Sequence, residues 1–169
     1  MDVRTRDVPE QTVVTEQRMV DQKALEQWLP RAMARVHKAA GDMAAGTAEQ
    51  PHLLRDHVAP EPVFIAIYEG NPNEGGTPVE CCTTLRAGVT APDGLATRSV
   101  PAHREAYLRI TKRTVQSGKL GDVYVAIEKW IQDQDLEVGA APRETFWADF
   151  YSAAEDDEVF DVAFPLSPC

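Results

Sequence analysis

The residues with the clearest capacity for chemistry are an acid and its aromatic neighbours. In "APRETFWADFY", residues 141–151, a proline precedes an aromatic-rich run that reads as a strand. Glu144 heads that run, and Phe146 falls on the same side by the two-residue alternation of a strand. A carboxylate there is either a solvated strand start or the charge of an apolar pocket. In a pocket an unpartnered, ionised Glu is costly, and its pKa rises until it neutralises. A flat cation would supply the missing charge while its rings displace water from the aromatic walls, with cation–π contacts contributing about 0.5–2 kcal/mol. Tyr68, Phe146 and Tyr107 are the candidate walls. Tyr68 ends an apolar strand and is read either as a wall or as a core Tyr with a bonded hydroxyl. Tyr107, in "REAYLRI", is free to face either way. Trp147 alternates to the opposite face, to pack beneath the second helix, unless a bulge turns it into the pocket.

Other chemistry finds little support. Cys81, Cys82 and Cys169 are an odd set, two of them adjacent, which makes no disulfide framework. They form no CxxC or Cys/His spacing, so no metal and no cofactor is expected. One of Cys81 and Cys82 should be a small buried hydrophobe, and nothing nearby in sequence would lower a thiol pKa. His37, His52, His57 and His103 are dispersed, His103 alone falling where it could reach a pocket rim. Asp149 and Asp161 are read as surface or turn-proximal acids.

Composition sets the outer limits. The chain has 169 residues, enough for one domain spanning 1–169, and its net charge is −10, with 17 Lys and Arg against 27 Asp and Glu. Scattered, outnumbered basic residues argue against direct nucleic-acid binding, which draws on clustered Lys and Arg. No apolar run reaches membrane-spanning length, and "MDVRTRDVPEQ" lacks the apolar core of a secretory signal. With that cysteine usage, the expected location is cytoplasmic.

Two helices and several strands must position these residues. Leu25, Trp28, Leu29, Ala32, Met33 and Val36 recur at three and four residues behind a candidate N-cap, Asp21. Pro30 implies a kink in that helix or a later start. Leu120, Val123, Tyr124, Ile127, Trp130 and Ile131 repeat the spacing after Ser117 and Gly118, with Tyr124 and Trp130 read as core. Strands are expected over 13–19, 63–68, 79–85, 103–110, 144–151 and 159–164, with 152–158 as an acidic hairpin loop.

The chain also repeats itself. "VPEQTVVTEQRMV" and "VPAHREAYLRITK" each precede a striped helix, then a proline-preceded aromatic strand, then a turn and a last strand. The order strand, helix, strand, strand occurs twice, over about 8–88 and 98–166. The expected fold is α+β: a tandem duplication of a β-α-β-β unit, forming an antiparallel sheet with two main helices on one side and a ligand groove between the copies.

This arrangement resembles the GyrI-like small-molecule-binding domain, the effector-binding domain of multidrug-sensing regulators. The resemblance is carried by "FIAIYEG" with Tyr68, "VECCTTL", "VPAHREAY", "SGKLGDVYVAIEKWI", "GAAPRETFWAD" with Glu144, and "VFDVAFPL". It covers roughly Val8 to Leu166 and implies a tandem SHS2 fold. It also implies that Glu144 faces a pocket, meeting flat, hydrophobic, positively charged compounds among stacking aromatics. Some stand-alone members are implicated in hydrolysing cyclopropane-bearing alkylating antibiotics with the same carboxylate, and others inhibit DNA gyrase. Gln116 stands where many relatives carry a His two positions before the Gly, so no role is carried over for it.

Three readings follow. The first is a stand-alone binding protein, relevant to drug resistance, that captures hydrophobic, cationic aromatic molecules through Glu144, Tyr68, Phe146, Tyr107 and Trp147. The second is a hydrolase of electrophilic drugs in which Glu144 is catalytic. The third is an effector protein acting through a protein partner, since the duplicated unit leaves no length for a helix-turn-helix domain.

Overall fold

The computed structural model describes residues 1–53 and 62–168, so the expectations for His57 and Cys169 fall outside it. Among the described residues, eight strands form one antiparallel sheet: β1 (Arg4–Val8), β2 (Gln11–Val20), β3 (Phe64–Tyr68), β4 (Thr77–Thr84), β5 (Thr97–Val100), β6 (His103–Thr111), β7 (Arg143–Phe146) and β8 (Glu158–Pro165). Their spatial order is β1-β6-β8-β7-β3-β4-β2-β5. The helices are α1 (Gln22–Ala40), the short α2 (Lys112–Gln116) and α3 (Leu120–Asp133). Among the described residues, no helix is long and apolar enough to cross a membrane.

The duplicated order is present as β2-α1-β3-β4 and β6-α3-β7-β8. The innermost strand of each copy, β3 and β7, pair with one another and join the halves. β1 and β5 were not expected, because "RTRDV" and "TRSV" carry no apolar alternation. Each belongs in sequence to one copy and pairs with the other: Val8 meets His103 on β6, and Val100 meets Gln11 on β2. The repeated Val-Pro marks both crossings. Pro9 and Pro101 have no N–H to give a ladder, so pairing stops there and the chain passes to the other half, curling the sheet.

Each helix forms for the reason its spacing gives. Asp21 caps α1 by accepting from the Ala24 N–H at 2.8 Å, and Leu25, Trp28, Ala32, Val36 and Ala40 are buried along one side. Pro30 neither starts nor ends the helix, which runs through it to Gly41, whose φ of 51° lets the chain turn away. In α3 the buried stripe is Val123, Ile127 and Ile131. Both helices cover the same face of the sheet, because Ala66, Glu144 and Val162 lie in one row across β3, β7 and β8. Ala66 packs in the cluster under α1 and Val162 in that under α3.

The next row, Ile65, Thr145 and Asp161, faces the other way. That second face has its own core of Val13, Leu53, Val63, Ile65, Cys82 and Trp147. It also holds a buried charge cluster. Arg6 Nη1 reaches Asp161 Oδ2 at 2.6 Å and its Nε donates to Glu105 at 2.9 Å, while Arg109 Nε donates to Asp161 Oδ1 at 2.9 Å. Asp161 is therefore not the surface acid expected from its nearness to a turn; it is 0 % exposed, and two arginines balance its charge.

β7 is shorter than expected. It stops at Phe146 because Asp149 takes over the local hydrogen bonding, its Oδ1 accepting from the Tyr151 N–H and its carbonyl from the Ala153 N–H. An Asp that bonds its own backbone competes with a ladder, so 147–151 turns instead of extending.

Candidate functional site

Over β3 and β7, between α1 and α3, lies a groove of about 1420 Å³. Leu25, Leu29 and Met33 of α1 line one wall, and Leu120 and Tyr124 of α3 the other. The floor is sheet: Phe64 and Tyr68 from β3, Glu144 and Phe146 from β7, Phe160 and Phe164 from β8. The sheet register sets Phe64, Phe146 and Phe160 side by side, and the Phe146 and Phe160 rings stand 4.5 Å apart. One step along in the same facing row stands Glu144 between Ala66 and Val162. The groove floor thus sets a carboxylate beside a row of phenylalanine rings.

Glu144 is 6 % exposed. Tyr68 donates its hydroxyl to Oε2 at 3.0 Å, and Tyr124 donates to Oε1 at 2.9 Å. Burial pushes the carboxyl up to about 7, against the pull of the Tyr124 and Tyr68 hydrogen bonds. Burial and the neighbouring carboxylate raise both phenols, so each remains a neutral donor. Among the described residues, the lining holds five further acids, Glu26, Glu69, Glu74, Glu128 and Asp149, and neither Lys nor Arg. Buried arginines neutralise the acids on the other face; here the side chains that donate to Glu144, Tyr68 and Tyr124, are uncharged. Such a site can accept a cation against the carboxylate and stack its apolar body on the rings.

Of the side chains picked out in sequence, Tyr68, Glu144 and Phe146 meet in the groove. Tyr107 and Trp147 do not line it. Ala106, Leu108 and Ile110 turn toward α3, so alternation sends Tyr107 to the second face, with the Arg6 guanidinium 4.0 Å from its ring centroid. Trp147 does lie opposite Phe146, but not beneath a helix: it packs with Leu53, Val63 and Ile65, donates Nε1 to Asp161 at 3.3 Å, and lies under Arg109. His103 is away from the rim, its Nε2 2.8 Å from Glu105 Oε2. Asp149, read as a surface acid, is exposed and contributes to the groove mouth.

Tyr124 is the residue that sequence reading missed. It sits in the apolar stripe of α3 and was taken for core, yet a Tyr tip on a sheet-facing helix needs a polar partner. That requirement was the available signal. Cys81 and Cys82 are both buried, one on each face, and burial pushes the Cys82 thiol up to about 12 and Cys81 higher still. Neither is a nucleophile in this state. Among the described residues, no group of three or more His, Cys, Asp or Glu is placed to hold a metal ion.

No protein-family model matches the chain, and no curated protein matches it by sequence. Solved structures do. The EcmrR C-terminal domain superposes with a TM-score of 0.72 at 16% identity, covering 99% of this chain and 98% of that one. The chain spans 58% of the EcmrR chain seen in a complex with DNA. SAV2435 bound to tetraphenylphosphonium matches with a TM-score of 0.58 at 11% identity, over 99% of this chain and 94% of that one. A protein described as a hydrolase from Listeria innocua matches with a TM-score of 0.61 at 9% identity, over 98% and 91% of the two chains. At such identities the likeness speaks to the fold, and the fold of this chain is that of the GyrI-like small-molecule-binding domains.

Proposed function

We propose that this protein captures hydrophobic, cationic aromatic small molecules in the groove between α1 and α3, with Glu144 as the charge determinant. The observation that carries the reading is a carboxylate buried at the floor of a groove lined by aromatic rings and acids, with no Lys or Arg among the described lining residues. Elsewhere in the fold buried acids have arginine partners; at Glu144 the counter-charge is left for a ligand to supply. Tyr68 and Tyr124 hold the carboxylate, and Phe146 with Phe64 and Phe160 offers stacking surface. Tyr107 and Trp147 contribute through the sheet they support, from its other side. Capture of an organic cation by a protein of this fold has a parallel in the tetraphenylphosphonium complex of SAV2435.

The test is a titration with tetraphenylphosphonium or a cationic dye at about pH 8, wild type against Glu144→Gln. Losing an ion-pair attraction of about 1–3 kcal/mol, between the water and near-surface limits for charges about 4–6 Å apart, should weaken binding roughly 5- to 150-fold. Equal affinities, or no binding by wild type, would dismiss the reading.

A second reading has one observation in its favour. A carboxyl pushed up to about 7 between two phenols is well matched to general acid–base work near neutrality, as a hydrolase of a strained electrophile would need. Turnover of a cyclopropane-bearing alkylating compound, abolished in Glu144→Gln, separates it from capture. A stoichiometric complex without product favours binding alone.

A further inference from the structure

We propose that the groove is a proton-exchanging site: without ligand Glu144 holds a proton between Tyr68 and Tyr124, and a fixed cation enters by displacing it. The inference rests on the capture reading and adds what the site does with its own charge. The balance is carboxylic acid plus L⁺ giving carboxylate·L⁺ plus a proton released to solvent through the open groove.

The geometry carries it. From β3, Glu144 meets Tyr68 and its row-mate Ala66; from β8, Val162; from α3, Tyr124. None brings a positive charge. Among the described residues, the charged groups lining the groove are Glu26 on α1, Glu69 and Glu74 in the β3–β4 connection, Glu128 on α3 and Asp149 after β7. All are acids, so none of them offers the carboxylate a counter-charge. Among the described residues, His37 on α1 is the one basic side chain in the lining; it packs edge-on to Phe64, centroids 6.2 Å apart. Two hydroxyls can serve either form of the carboxyl, since each can donate or accept. The raised carboxyl pKa agrees with that setting.

A difference between ligand classes follows. A quaternary ammonium or phosphonium compound must expel the proton, so its affinity falls as the solution is acidified. A weakly basic amine that arrives neutral takes the proton itself, giving carboxylate·BH⁺ with none released. Such an amine would therefore bind without proton exchange only where it is neutral and the carboxyl still protonated, whereas fixed cations bind best toward neutral and alkaline pH.

The experiment is calorimetric titration of the full chain with tetraphenylphosphonium from about pH 5.5 to 8.5, in two buffers of different ionisation enthalpy. Affinity should weaken about tenfold per pH unit below the midpoint and about 30-fold across the range. Buffer-dependent heat should report close to one proton released per ligand at the acid end. Glu144→Gln should bind weakly, with a flat profile and no release. Tyr124→Phe removes one hydrogen bond to the carboxylate and should move the midpoint upward. His37→Asn should keep the pH dependence, because the proton exchanged is the one on Glu144. Should any variant fail to fold, the wild-type proton count decides alone. Intact binding with a flat profile and no proton release overturns the exchange and leaves the capture reading standing. Loss of the pH dependence in His37→Asn overturns it too. No binding at any pH takes both down.

Discussion

Replacing Glu144 by Gln should stabilise the unliganded protein, increasingly so as pH rises. The wild-type carboxyl sits at about 7 against an ordinary value of 4.5. A carboxyl raised in the folded state binds its proton more tightly there than in the unfolded chain. Its contribution is therefore fully present below pH 4.5 and is lost as pH climbs through 7. A gap of about 2.5 pH units corresponds to about 3 kcal/mol. That is a large share of the 5–15 kcal/mol by which domains of this kind are usually stable. Gln keeps the volume and offers one acceptor and one donor to two hydroxyls that can each do either. It therefore removes the cost of ionising a buried acid without orphaning Tyr68 or Tyr124. Urea unfolding at about pH 5, 6, 7 and 8 should give wild type and variant similar stabilities at the acid end. At the alkaline end a gap of about 3 kcal/mol should have opened in favour of Glu144→Gln. Comparing the two proteins cancels every other titrating group. Parallel stability curves across that range would refute the reasoning, because they would mean that Glu144 is no costlier to ionise folded than unfolded. A saturating fixed cation should close the gap at high pH, since a ligand that binds only the native carboxylate restores what ionisation cost.

Arg6→Ala leaves Asp161 with Arg109 and the Trp147 indole, and takes from Glu105 its arginine partner, so it should cost about 3–5 kcal/mol in chemical denaturation, as loss of one member of a buried ion cluster does. Acid should weaken the wild type in two stages. Burial lowers His52 to about 4, so the stability it contributes is lost as pH falls from 6.5 toward 4, and His52→Asn should flatten that stretch. Burial opposes ionisation of Glu105, but the His103 hydrogen bond and Arg6 outweigh it and hold the carboxyl at about 2, so its share is lost below 4.5. Cys81 and Cys82 should react with a thiol reagent only at the rate of unfolding, and a fast native phase from either would contradict their burial. Trp147→Phe removes the indole bond to Asp161 and should cost about 1 kcal/mol while leaving ligand affinity within about twofold, since Trp147 is outside the groove.

Much of this protein could be read without coordinates. The three- and four-residue spacing in 25–36 and 120–131 gave both long helices, and the doubled Val-Pro order gave the tandem plan. Alternation put Glu144 and Phe146 on one side of their strand. These are local facts: neighbours in sequence settle periodicity, capping and which side of an element is apolar. Only the tertiary structure decided what faced what. β1 and β5 became strands because the other half of the chain offered them an edge, which no local pattern records. Tyr107 was left open and Asp161 was misplaced because an aromatic or an acid on a strand is compatible with either face until the partner layer is known. Tyr124 reaches Glu144 across 20 residues of sequence and Tyr68 across 76. A carboxyl's affinity for its proton depends on water excluded and charges gathered within a few ångströms, and folding alone brings those groups together.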